Sequence, residues 1–142
     1  MNRPVHFEIH ASNMDSMQKF YEQVFGWKFQ PMGDAYGGYR VIVTGENTLG
    51  APMTADMMGI NGGMTARRGP LPQNGAAVNA FVNVIGVENV DATVEKVKAA
   101  GGSVALEAAD MPGVGRLAYC KDLDGAIFGI ITPTMPPGPP VA

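Results

Sequence analysis

The run VHFEIH, Val5 to His10, carries both histidines of a 142-residue chain with a glutamate between them. Imidazole and carboxylate are the groups that hold divalent metals and move protons near neutral pH. On a strand, alternate residues share a face, and residues two apart lie roughly 6.5–7 Å from each other. His6 with Glu8, or Glu8 with His10, is thus spaced to share one ion. His6 and His10 stand about 13 Å apart at their Cα atoms, near the limit for two imidazoles with metal–nitrogen bonds of about 2.1 Å. A third donor is needed, and Asn79 or Asn83 would be makeshift, since an amide is a weak transition-metal ligand. The same row permits acid–base chemistry, with Glu8 and His6 as the pair, if burial raised the Glu8 pKa. The plainer reading is preferred: Glu8 pairs with a histidine, Arg40 or Arg116 and does no chemistry, because ion-pair networks also populate clefts.

Composition narrows the setting. Hydrophobic residues at 46% and charged residues at 16% describe one globular domain with a real core. A formal net charge of −3, with Arg67-Arg68 as the one basic pair, argues against nucleic acid as a partner. No apolar run is long enough to span a membrane, and MNRPVHFEIH lacks the apolar centre of a secretory signal, so a cytoplasmic location is expected. The single cysteine, Cys120, reads as a small buried hydrophobe on a strand.

The elements that must position the row follow one plan twice. VHFEIH alternates as a half-buried strand; Asn13 then caps a helix with apolar positions Met14, Met17, Tyr21 and Val24, and Gly26 ends it. WKFQ and YRVIVT are strands around the turn GDAYGG, and LGAPMTAD is expected as an edge strand. In the second half, AVNAFVNVI is a strand and Asn89 opens a helix with Val90, Val94 and Val97 buried. That helix leaves at Gly101-Gly102, and GSVALEA, GRLAYCKD and AIFGIIT are strands. Asn13, Asp15 and Gly26 reappear as Asn89, Asp91 and Gly102, each displaced by 76 positions. The expected fold is therefore α+β, two βαβββ modules forming a curved mixed sheet around a cleft. Module one covers about 4–56, a linker 57–75, module two about 76–132 and a flexible Pro-rich tail 133–142. Val5, Phe7 and Ile9 suit the helix side of the first strand, which leaves His6, Glu8 and His10 toward the cleft. The same alternation on the fifth strand puts Ala80, Val82 and Val84 on the helix side and Asn79, Phe81 and Asn83 toward the cleft.

Two letter patterns lead nowhere. GVGRLA, Gly113 to Ala118, has the spacing of a dinucleotide fingerprint but enters a strand rather than a helix. DLDG, Asp122 to Gly125, lacks the distal glutamate of a calcium loop, where Pro133 stands, and reads as a turn. Tyr36, Trp27 and Tyr119 read as core or cross-strand aromatics, whereas Tyr39 and Phe81 are the best candidates for ligand contact. Most of the ten methionines read as core filler; Met53, Met57, Met58 and Met64 are candidates for an adaptable lid.

VHFEIHASNMDSMQKFYEQVFGWKF resembles the opening module of the vicinal oxygen chelate superfamily of glyoxalases, bleomycin-resistance proteins and extradiol dioxygenases. NVDATVEKVKAAGGSV and GRLAYCKDLDGAIFGI resemble its second module, and the likeness is nearest to a glyoxalase-like branch. The resemblance implies a divalent ion held by one side chain from each of four strands, with open positions for vicinal substrate oxygens. Carried over position by position, it places the first ligand on His6, the second near Met53, the third on Asn79 and the fourth on Gly129. His6 is the only surviving family-type ligand, so no metal is expected as cofactor, a divalent ion being possible but disfavoured.

Two functions remain. The preferred one is a small-molecule-binding, glyoxalase/bleomycin-resistance-like protein whose ligand face comprises His6, Glu8, His10, Tyr39, Met53, Asn79, Phe81 and Asn83. The alternative is a glyoxalase-like lyase or isomerase using Glu8 and His6, or a weakly held divalent metal; a dioxygenase is less favoured. The expected partners are a small organic molecule and, as the resemblance and the open sheet edges imply, a second copy of the chain.

Overall fold

The computed structural model describes residues 6–45, 59–71, 73, 82–112 and 114–133. The chain divides into two units, Met1–Pro70 and Leu71–Ala142. The first contains β1 (Phe7–Ala11), α1 (Met14–Phe25), β2 (Lys28–Pro31), a 3₁₀ turn at Asp34–Tyr36, β3 (Arg40–Val43) and β4 (Gly62–Ala66). Its sheet runs β1-β4-β3-β2, with β1 and β4 parallel and the other neighbours antiparallel. The second contains β5 (Val84–Gly86), α2 (Val90–Ala99), β6 (Ser103–Met111), β7 (Gly115–Lys121) and β8 (Ile127–Pro133). Its order is β5-β8-β7-β6, again with the outer pair β5–β8 parallel. Each unit is βαβββ, and the fold class is α+β as expected.

Local chemistry starts and stops the helices. The Asn13 side chain accepts from the Ser16 N–H and that of Asn89 from the Ala92 N–H, both at 2.9 Å, satisfying donors the first turns cannot. Gly26 closes α1 in the left-handed region at φ 69°, and its N–H donates to Glu22 O. The buried stripes are Met17, Phe20, Tyr21 and Val24 on α1 and Val90, Thr93, Val94 and Val97 on α2. Trp27 stacks on Tyr21 at 5.2 Å and 4° and lies 5.5 Å from Phe7, so FGW ties the exit of α1 to β1.

A second internal repeat emerges in three dimensions. Arg40 at the start of β3 binds Asp15 in the first turn of α1 at 2.6 Å, and also donates to Gln18 Oε1 and Met14 O. Arg116 on β7 grips Asp91 of α2 with two bonds, of 2.8 and 2.9 Å, and donates to Asp110. Each arginine thus fastens a helix N-terminus to the sheet of its own unit. Glu8 takes the histidine option of its expected pairing, meeting His10 at 2.8 Å, and the two arginine alternatives fall away.

Three further expectations change. The stretch read as linker, 57–75, contains β4, whose residues pair with both β1 and β3. GGMTA shows no alternation, so it carries no strand signal of its own. Met64, a lid candidate, is fully buried within that strand. The phase of the fifth strand is also reversed. Ile85 pairs with Ile130, which is buried on the side of α2 together with Ala118, while Val84 pairs with Gly129 on the opposite face and is 49% exposed. Adjacent apolar residues at Val84 and Ile85 make either phase plausible by pattern alone. LGAPMTAD, Met57 and Met58 lie outside the described residues, as does the chain beyond Pro133.

Candidate functional site

The ladder of the first unit sets which side chains share the face away from α1. Glu8 pairs with Gly63, and Gly63 with Val41, in one row across β1, β4 and β3; His10 pairs with Thr65 in the next. Arg40 and Ile42 alternate with these and take the helix side, where Arg40 reaches α1. His6, Glu8, His10, Tyr39, Val41 and Thr65 therefore lie on one face, as the alternation of VHFEIH predicts for the first three. Tyr39 enters from the loop after the 3₁₀ turn. Gly37 and Gly38 there adopt φ 65° and 77°, which allows the sharp reversal into β3.

Four polar groups on this face touch in sequence. The Tyr39 hydroxyl lies 2.9 Å from His6 Nε2 and 3.4 Å from Glu8 Oε2, and Glu8 Oε1 lies 2.8 Å from His10 Nε2. Glu8 can only accept from the phenol, over a long 3.4 Å; across the shorter contact either the phenol or the imidazole donates, according to the His6 tautomer. The Tyr39 pKa is raised above its ordinary value, first by partial burial, then by the negative charge of Glu8 and the bond to it. The phenol therefore keeps its proton. Arg67 donates to the His10 carbonyl and anchors the end of β1.

Gly63 makes this contact possible. A Cβ on Gly63 would fall inside the Tyr39 phenol, and a Cβ on Gly62 would lie 2.6 Å from the Phe7 carbonyl oxygen and 2.7 Å from the Phe7 ring. Two aromatic rings lie against consecutive glycines of β4. The second unit repeats the arrangement more loosely. Gly129 on β8 pairs with Tyr119 on one side and Val84 on the other, and a Cβ there would meet Val84 Cγ2 at 3.0 Å and Tyr119 Cε1 at 3.1 Å.

The position-by-position metal assignment can be tested on these strands. β4 is GGMTA and β8 is IFGIITP, and neither carries a His, Cys, Asp or Glu. The fourth described strand is Gly62–Ala66 and the eighth carries Gly129, while Met53 lies outside the described residues. Both glycine seats are covered by tyrosine rings. Among the described residues no three His, Cys, Asp or Glu side chains are grouped to hold an ion. Among the described residues, therefore, β4 and β8 offer no side chain suited to the metal centre that the resemblance implies.

Of the candidate ligand residues, the structure brings together His6, Glu8, His10 and Tyr39. Asn83 is exposed and its carbonyl accepts from Gly129 N–H, but the reversed phase puts Val84, not Asn83, on the face away from α2. Met53, Asn79 and Phe81 lie outside the described residues. Sequence reasoning missed Gly63, Thr65 and the contact between Tyr39 and His6, which are 33 residues apart. No local signal announces that contact; the paired glycines at 62 and 63 were the available hint of a close approach.

Comparison with known proteins agrees with this architecture. The sequence pattern of the Glyoxalase/Bleomycin resistance protein/Dioxygenase superfamily matches residues 3–130. CFP32 of Mycobacterium bovis, provisionally named a glyoxylase, is 34% identical over 127 residues, which are 89% of this chain and 42% of that protein. This chain thus spans under half the length of that relative. Among solved structures, SA1046 from S. aureus superposes with a TM-score of 0.64 at 24% identity, covering 93% of this chain and 98% of that one. The fosfomycin resistance protein FosX from Listeria monocytogenes gives 0.67 at 17%, covering 95% and 94%. TnmS3, an antibiotic binding protein from Streptomyces sp. CB03234, gives 0.63 at 18%, covering 94% and 98%. At these identities the structural likenesses show the fold. The chain belongs to the Glyoxalase/Bleomycin resistance protein/Dioxygenase superfamily.

Proposed function

We propose that this superfamily member binds a small organic molecule, without a family-type metal, at the sheet face lined by His6, Glu8, His10 and Tyr39. The observation that carries the reading is the pair of glycine seats. The strands that should supply acidic ligands, β4 and β8, offer Gly63 and Gly129 with tyrosine rings over them. A carboxylate at Gly63 would have to displace the Tyr39 phenol, and one at Gly129 would press on Val84 and the edge of the Tyr119 ring. What remains on the first unit is a hydroxyl, a carboxylate and two imidazoles in mutual contact, a set that orients a polar organic guest by hydrogen bonds. Two structural neighbours, FosX and TnmS3, are named for fosfomycin resistance and for antibiotic binding, which supports a small organic guest. In this reading the protein is a cytoplasmic homodimer with no nucleic-acid partner.

The test is metal retention. The protein is loaded in turn with Zn, Ni, Fe and Mn salts, and bound metal per chain is measured after gel filtration, which also reports the assembly mass. Substoichiometric metal, unchanged in His6→Ala, is expected, alongside thermal-shift hits in an organic library that weaken in that variant. One ion retained per chain and lost in His6→Ala would overturn the proposal.

A further inference from the structure

We infer that Tyr39 is a positioning residue, seated on Gly63, that holds the His6 imidazole in one orientation and one tautomer. The inference rests on the ligand-binding reading of this face but is tested separately from it. Three observations support it. Glu8 on β1 and His6 just before it are both exposed, so packing alone leaves the imidazole free to turn. The Tyr39 ring fills the space above Gly63 where any side chain with a Cβ would project, which fixes the position of its hydroxyl. That hydroxyl then meets His6 Nε2 at 2.9 Å, whereas Glu8 Oε2 at 3.4 Å is too long for a good hydroxyl bond, so the phenol proton is assigned to His6.

The consequence is specific to the proton. A hydroxyl donating to Nε2 makes that nitrogen the acceptor, so His6 carries its proton on Nδ1 when neutral. Nε2 is occupied by the phenol, and Nδ1–H is the donor left for a guest. Glu8 meanwhile is held at Oε1 by His10. The row thus presents a preset alternation, a ring N–H beside a carboxylate. This selects a guest that offers an acceptor and a donor side by side, as an amide or a hydroxy-carbonyl group does. Gly63 determines this specificity indirectly, because only glycine admits the ring that sets the tautomer.

The experiment is nitrogen NMR of the imidazoles in full-length, metal-stripped protein. Tyr39→Phe keeps the ring over Gly63 and removes only the hydroxyl. Wild type is expected to show neutral His6 as a single Nδ1–H tautomer. In Tyr39→Phe the His6 nitrogen resonances should move toward the averaged positions of two exchanging tautomers, with His10 unmoved and the melting temperature little changed. Gly63→Ala should reproduce the His6 change by displacing the ring; if it fails to fold, the Phe variant decides alone. His6 resonances identical in wild type and Tyr39→Phe, or already averaged in wild type, would overturn the inference. Zinc retained stoichiometrically would instead sink the ligand-binding reading and leave the tautomer result intact.

Discussion

The seat of Tyr39 can be weighed in a double-mutant cycle of Gly63→Ala and Tyr39→Ala. In the wild-type background the new methyl group falls inside the phenol ring, so the ring must leave or β4 must shift. Overpacking of this kind costs about 1–3 kcal/mol. Alanine also removes the extra backbone freedom of glycine in the unfolded chain, a gain of about 0.5–1 kcal/mol. The net expected loss is therefore about 0–2.5 kcal/mol. In the Tyr39→Ala background no ring occupies the space, only the backbone gain survives, and Gly63→Ala should stabilise the protein by about 0.5–1 kcal/mol. The sign of the substitution reverses, with a coupling of about 1–3 kcal/mol. Equilibrium urea unfolding with a shared m-value measures all four corners. Gly62 and Gly129 calibrate the result. At Gly62 the obstacle includes the Phe7 backbone carbonyl at 2.6 Å, which no side-chain deletion removes, so Phe7→Ala should not rescue Gly62→Ala. At Gly129 the nearest atoms are side-chain carbons at 3.0 and 3.1 Å, which can rotate away, and Gly129→Ala should cost less than about 1 kcal/mol. An equal cost for Gly63→Ala with and without the Tyr39 ring would refute the seat.

Two more outcomes follow from the second unit. The paired hydrogen bonds from Arg116, opposed by partial desolvation and aided by its charge, hold the Asp91 carboxyl below its ordinary value of 3.8. A carboxyl depressed in the folded state contributes stability that is present above its unfolded pKa and lost as pH falls through the folded one. Asp91→Asn should therefore narrow its deficit against wild type as acid unfolding is followed downward from about pH 4; parallel curves to the acid limit would contradict this. Burial, reinforced by Glu107 and opposed by Lys98, pushes the Cys120 thiol up from its ordinary 9.0. An aromatic disulfide reagent at neutral pH should label Cys120 only at the rate of opening, and labelling as fast as in urea would show that β7 is not closed.

Legibility in the sequence follows the range of the interactions. The helices were readable because their causes are local: Asn13 and Asn89 satisfy N–H groups three residues away, and the buried stripes repeat at helical spacing. The turn DLDG was readable for the same reason, since Asp122 accepts from Asp124 and Ala126 within the turn itself. β4 was not, because its residues make no strand pattern until β1 and β3 flank them. Its glycines look like a linker in isolation and become structural only when Phe7 and Tyr39 arrive from other elements. The arginine clasps fall between these extremes. Asp15–Arg40 and Asp91–Arg116 both span 25 residues, so the 76-residue displacement already counted for Asn13, Asp15 and Gly26 extends to Arg40 and Arg116. That signal was countable without coordinates, whereas the seat of one ring on one glycine was not. A duplicated fold therefore announces its scaffold twice, while the polar row on the first sheet, which has no counterpart among Val84, Gly86, Tyr119 and Gly129 on the second, is written once. The proposed ligand face thus lies where the repeat breaks: at Glu8 opposite Gly63 in one unit, against Val84 opposite Gly129 in the other.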